Sequence, residues 1–221
     1  MDLIITLCRA LASPLRLCVL RAAHLRPGIT VGDLCEQVGG AQPVVSKHLR
    51  TLADLALLDL RPSGRLVHIH PPPRESGRGA LIDAISGLLA RTWKVSSEGN
   101  STHSNVWNCL SDPEHGSPAD LAQACQRMVL FFTAYTHLRR LLILRHVAVN
   151  GPTSQEALAD AIGMSAPAAS RQLTKLERRH LVRRAEVDGQ RKWALLPELP
   201  APFQAHLHRL VTEQLVRGAG S

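Results

Sequence analysis

The sequence predicts a mainly α chain with small β-hairpins, assembled as two tandem copies of one domain type. Three observations carry this. Sliding the chain by 124 positions aligns residues 13–58 with 137–182 without a gap, and eleven of those 46 positions are identical. The identities include Arg16/Arg140, Leu20/Leu144, Leu34/Leu158, Gly39/Gly163, Pro43/Pro167, Ser46/Ser170 and Leu52/Leu176. Aromatic residues make up 3% of the chain while Ala and Leu carry the apolar load, which favours helices over a sandwich or barrel. Hairpin signals close both copies.

In the first copy Ser13-Pro14 is an N-cap followed by proline in the first turn, opening a helix to about Leu25. After Pro27-Gly28, Thr30 caps a second helix with Val31, Leu34, Cys35 and Val38 on one face. Gly39-Gly40 ends it. A third helix starts near Gln42-Pro43 and turns Val45, Leu49 and Leu52 inward. Two short helices separated by a glycine turn form a helix-turn-helix. Leu58 to Arg61, the turn Pro62-Ser63-Gly64 and Leu66 to His70 then form a hairpin, or wing. The second copy has Val182 to Val187, the turn Asp188-Gly189 and Arg191 to Leu195. The expected fold is two tandem winged helix-turn-helix domains.

Flanking helices are expected over residues 79–93, over 118–135 from Ser117-Pro118, and from His206 to Val216. Residues 95–116 are rich in Ser, Asn and Gly, contain no Lys or Arg, and are expected to be a linker. The domain boundaries that follow are 1–94, 95–116 and 117–221.

The net charge of +8 and pI near 9.9 point to an anionic partner. Residues 171–192 carry a net +5, residues 47–65 a net +2 and the linker a net −3. Positive charge thus sits where a winged helix meets phosphate. Asp2 precedes the first apolar run and Arg9 interrupts it, unlike a secretory signal. The longest apolar stretch, Met128 to Leu138, is about half the ~20 residues that span a bilayer. A soluble cytoplasmic protein with no membrane partner is expected. The five cysteines, Cys8, Cys18, Cys35, Cys109 and Cys125, are odd in number and form no C-x-x-C pair, which suits a reducing compartment.

The runs LASPLRLCVLRAA and DLCEQVGGAQPVVSKHLRTLADLALLDLRPSGRLVHI resemble the ArsR/SmtB winged helix-turn-helix regulators. The resemblance covers about residues 5–92 and is weaker over 118–216. It implies a repressor that pairs through terminal helices and releases operator DNA on binding metal or on thiol oxidation. The family's Cys-Val-Cys-Asp-Leu ligand motif is replaced by Thr30-Val31-Gly32-Asp33-Leu34 and by Ser154-Gln155-Glu156-Ala157-Leu158, so the thiolates for a soft metal are missing. Of the family's second site, residues 79–93 retain only Asp83, and His206 and His208 do not share a helix face.

The resemblance makes Gln42, Ser46, Lys47, His48 and Arg50 the reading face of the first recognition helix, with Arg61 and Arg65 on its wing. Gln suits adenine and Arg suits guanine in the major groove, whereas Ser and Lys more often hold phosphate. The second copy offers Ser170, Arg171, Gln172, Thr174 and Lys175, with Arg183, Arg184, Arg191 and Lys192 on its wing; Ala166 stands where the first copy has Gln42. His68 and His70 project to one side of a strand, but two ligands fall short of a zinc site. Cys18 and Cys35 fall on apolar stripes, where packing is the expected role and oxidation the second. No phosphate loop, nucleophile elbow or metal motif occurs, so neither enzyme activity nor a cofactor or metal is expected.

The expected function is sequence-specific binding of double-stranded DNA by a transcriptional repressor, as an intramolecular pseudo-dimer or a homodimer, under an effector that the sequence leaves unidentified. The rival is a winged-helix protein-interaction scaffold without specific DNA binding.

Overall fold

The computed structural model describes residues 1–73, 79–94, 108–111 and 117–218. The first half runs α1 (Asp2–Leu11), α2 (Pro14–Leu25), β1 (Ile29–Thr30), α3 (Val31–Val38), α4 (Gln42–Asp54), β2 (Asp59–Ser63), β3 (Leu66–His70) and α5 (Ala80–Lys94). The second runs α6 (Leu121–Thr133), α7 (Leu138–Asn150), α8 (Gln155–Ala161), α9 (Ala166–Glu177), β4 (Val182–Val187), β5 (Gln190–Leu195) and α10 (Pro202–Arg217). The protein is mainly helical with small antiparallel hairpins, and each half carries a winged helix-turn-helix.

The local punctuation works as its residues dictate. Ser13 Oγ accepts from the Arg16 amide, and Thr30 Oγ1 accepts from the Asp33 amide at 3.2 Å. Gly39 ends α3 in the left-handed region at φ 66°. Gly40 is needed for a different reason, since a Cβ there would lie 2.8 Å from Val45 Cγ2. The wing of the first half departs from expectation. Strand β2 continues through Pro62 and Ser63, with Ser63 opposite Leu66, so the turn is narrower than Pro62-Ser63-Gly64. Sheet order β1-β3-β2 makes β2 an edge, where proline's missing N–H costs no ladder bond.

The 124-residue offset extends beyond the stretch where identities show it. It carries α2 onto residues 138–149 of α7, α4 onto 166–178 at α9, and α5 onto 204–218 at α10. It also carries α1, a helix not anticipated from the sequence, onto 126–135 at the end of α6. The pair Ile29↔Ile69 between β1 and β3 becomes the isolated bridge Thr153↔Trp193. Left-handed residues recur at the same offset, Ala56 with His180 and Gly64 with Asp188.

Equivalent helices pack on one another, α1 against α6 and α5 against α10, while α2 also contacts α5 and α6. One continuous apolar cluster therefore runs through both halves, from Leu7, Leu17 and Leu49 to Trp93, Phe132, Leu141 and Leu207. Apolar burial at about 25 cal/mol per Å² is the main force joining them. Inside this core the Tyr135 hydroxyl meets His208 Nδ1 at 3.1 Å, and burial pushes the His208 imidazole down to about 4. Among the described residues no single helix is long and apolar enough to cross a membrane. Helices α1 and α2, which together reach that length, meet at 85° and bury Leu7, Leu11, Leu17 and Leu20 in the core.

The flanking helices differ in detail from expectation. Helix α6 is capped by Asp120, whose carboxylate accepts from the Gln123 amide at 2.8 Å, rather than by Ser117. Helix α10 starts four residues before His206, with Pro202 in its first turn. Most of the expected linker, residues 95–107 and 112–116, lies outside the described residues. Asn108–Leu110 forms one 3-10 turn with Leu110 buried, and the Leu110 carbonyl accepts from Arg127 Nη1 at 3.0 Å. That part is docked, because an apolar side chain found a core to enter.

Candidate nucleic-acid interface

Helix α4 turns Val45, Leu49 and Leu52 into the core and presents Gln42, Lys47 and Arg50 to solvent. Gln42, Pro43, Ser46, Lys47 and Arg50 line an open concavity of about 390 Å³ on this face. Ser46 and His48 are half-buried. His48 Nδ1 lies 3.5 Å from Arg16 Nη1, and burial together with Arg16 and Lys47 holds the imidazole below the usual histidine range. Its ring is turned to the helix scaffold. The sequence reading overlooked Val44, a branched apolar residue 48% exposed, about one turn before Lys47. The signal was the Val44-Val45 pair, of which only one member fits the inward stripe.

Helix α9 corrects one expected contact. Gln172, grouped with the reading face, is buried, and its Oε1 has no hydrogen-bond partner. The inward stripe here is wider than in α4, taking in Ala168, Ala169, Gln172, Leu173 and Leu176. Position 172 is the equivalent of His48, so both copies turn this position toward the scaffold. Arg171 and Lys175 are exposed, while Ser170 and Thr174 are half-buried. The Thr174 hydroxyl donates to the Ser170 carbonyl at 3.0 Å.

The wings carry cations of two kinds, all exposed except the half-buried Lys192. Arg65, Arg183 and Arg191 are exposed. Arg61 is engaged by Asp59 at 2.8 Å, and Lys192 by Asp188 at 3.2 Å. Arg184 lies over the Trp193 ring, 5.1 Å from its centroid, and 3.5 Å from Glu177. Such exposed pairs are weak and exchange readily for phosphate. Beyond the expected residues, Arg178 is exposed at the end of α9. Lys175, Arg178, Arg179, Arg127 and Arg140 line a cavity of about 770 Å³, and among the described residues no carboxylate lines it. The basic field of the second half is therefore wider than its recognition helix and wing.

His68, half of the two-histidine pattern, is committed locally, with Nδ1 2.9 Å from the Gly28 carbonyl. Among the described residues no group of three His, Cys, Asp or Glu is placed to hold a metal ion.

No curated protein matches the chain. Residues 137–192 match the MarR family, a stretch running from the cap of α7 through α8 and α9 into β5. The match falls on the second winged helix and supports a DNA-binding transcriptional regulator of the winged-helix class, without singling out ArsR/SmtB regulators.

Proposed function

We propose that this protein is a sequence-specific DNA-binding repressor that places two non-identical winged helices of one chain on a single operator. The observation that carries the reading is the outward placement of Gln42, Lys47 and Arg50 on α4 and of Arg171 and Lys175 on its equivalent, α9. Ser46, Val44, Ser170 and Thr174 border those faces, and a valine there suits a thymine methyl. Arg61, Arg65, Arg183, Arg184, Arg191 and Lys192 extend the contact along phosphates. His48 acts through Arg16 as a positioning group, and Gln172 is left out. The packing of α1 on α6 and α5 on α10 supports an intramolecular pseudo-dimer. Its operator is then two unlike half-sites about one helical turn apart, roughly 34 Å. Resemblance to ArsR/SmtB regulators supports repression.

Fluorescence anisotropy with DNA from upstream of its own gene tests the proposal. Nanomolar binding is expected, falling by roughly one power of salt for each phosphate contacted. Binding that ignores salt, or equal binding to random and upstream DNA, would favour the scaffold.

A further inference from the structure

We propose that Cys18 and Cys125 form an oxidisable dithiol, which a hydroperoxide converts to an intramolecular disulfide that staples the first half of the chain to the second. Cys18 lies on α2 and Cys125 on α6, 107 residues away, and their Sγ atoms are 3.7 Å apart. A disulfide needs about 2.0 Å, so closure takes a sulfur displacement of roughly 1.7 Å between helices already packed together. Access divides the roles. Cys18 is half-buried and within reach of a small oxidant, whereas Cys125 is 1% exposed and shielded in the core. The Cys125 thiol hydrogen-bonds to the Cys18 sulfur and the Arg21 charge adds to it, bringing Cys18 down to about 7 against the opposing effect of burial. Cys8, wholly buried, has its thiol pushed up to about 12 and stays inert.

The chemistry balances with one hydroperoxide. The Cys18 thiolate attacks the terminal peroxide oxygen; an S–O bond forms, the O–O bond breaks, and the departing alkoxide takes a proton to become an alcohol. The Cys125 sulfur then attacks the sulfenic sulfur. An S–S bond forms, the S–O bond breaks, and hydroxide leaves with the Cys125 proton as water. Two thiols lose two electrons in total and the peroxide gains them.

The staple joins supports of the two recognition helices. Helix α2 packs against α4, and the Leu130 carbonyl of α6 accepts from Arg179 just beyond α9 at 2.6 Å. Oxidation therefore fixes the spacing of the two heads. The covalent step itself does not depend on the nucleic-acid reading.

The test treats reduced full-length protein with tert-butyl hydroperoxide, then maps peptides without reduction. Expected are the loss of two thiols per chain and a peptide pair linked through Cys18 and Cys125, lighter by two hydrogens. Cys8 should remain reduced. The oxidised protein should keep its monomer mobility and melt several degrees higher, reversibly with dithiothreitol, since the link closes a long loop. Cys18→Ser and Cys125→Ser should each abolish the link; the wild-type map stands even where a variant folds poorly. Cys18 driven to sulfinic or sulfonic acid beside a free Cys125 would overturn the proposal. So would a crosslink between chains, or a pair still reduced when the oxidant has consumed free glutathione.

Discussion

Arg16 and Arg140, 124 residues apart, make the same contact: each sends its guanidinium back to the last carbonyls of the helix before its own. Arg140 Nε donates to Ala134 O at 2.8 Å and Nη2 to Thr133 O at 2.7 Å. Arg16 Nε donates to Ala10 O, and Nη2 to Arg9 O at 3.0 Å. The acceptors, like the donors, are related by the offset. Each arginine answers the unpaired carbonyls and negative end of a helix with a fixed charge. Arg140 is 8% exposed. Arg140→Ala should cost about 2–3 kcal/mol in urea unfolding, because buried carbonyls lose charged donors. Arg16→Ala, at a more open site, should cost less and also loosen His48, which amide and ring NMR shifts would report.

Gly40 has a fixed partner in Val45. An alanine there would press its Cβ against Val45 Cγ2, and Val45 is fully buried and stiff at χ1. Gly40→Ala should destabilise by about 1–3 kcal/mol. In a double-mutant cycle with Val45→Ala the two losses should be less than additive, since the smaller partner removes the clash. Strict additivity would show that the close approach carries no cost.

His208 should make stability fall in acid. Its pKa drops from 6.5 to about 4 in the folded state because burial disfavours the charged ring. Above pH 6.5 both states hold it neutral and it has no effect. Between 6.5 and 4 the unfolded chain binds the proton first, so stability is lost progressively, by about 3 kcal/mol in all. Urea curves at pH 7, 5.5 and 4.5 measure this. His208→Gln should flatten that part of the profile, and an unchanged slope would refute the assignment.

Affinity and specificity should respond to different substitutions. Arg183→Ala with Arg191→Ala should weaken binding to all DNA and lower the salt slope by about 2. Arg184→Ala and Lys192→Ala should do somewhat less, since each cation gives up a weak pairing with Glu177 or Asp188 to reach phosphate. Gln42→Ala with Arg50→Ala should cost about 1–3 kcal/mol per lost base contact, mainly on the cognate site. Gln172→Ala should leave base preference unchanged. Equal losses on cognate and random DNA from both sets would defeat the division.

The chain should act alone. Light scattering is expected to give a particle near 24 kDa that binds DNA in that state. An obligate species of twice that mass would mean that the helices pair between chains.

What the sequence determined by itself was local. Ser13, Thr30, Gly39 and the Asp188-Gly189 turn act on residues a few positions away, so their effect is written beside them. The inward stripes of α4 and α9 were legible for the same reason, as was the repeat, which brought the winged fold with it. Helix α1 was missed because it begins at Asp2 without a side-chain cap. Tertiary structure alone decided the rest. Whether position 172 faces solvent depends on how wide a stripe the scaffold covers, and there it covers Gln172. That α1 meets α6 and α5 meets α10 follows from which apolar faces remain after each half has folded. The Cys18–Cys125 contact spans 107 residues, and no spacing rule connects two cysteines on helices that meet only in the assembled core. Hydrogen bonds of caps and turns act within one turn of chain, whereas apolar burial is non-directional and joins whatever the topology brings together.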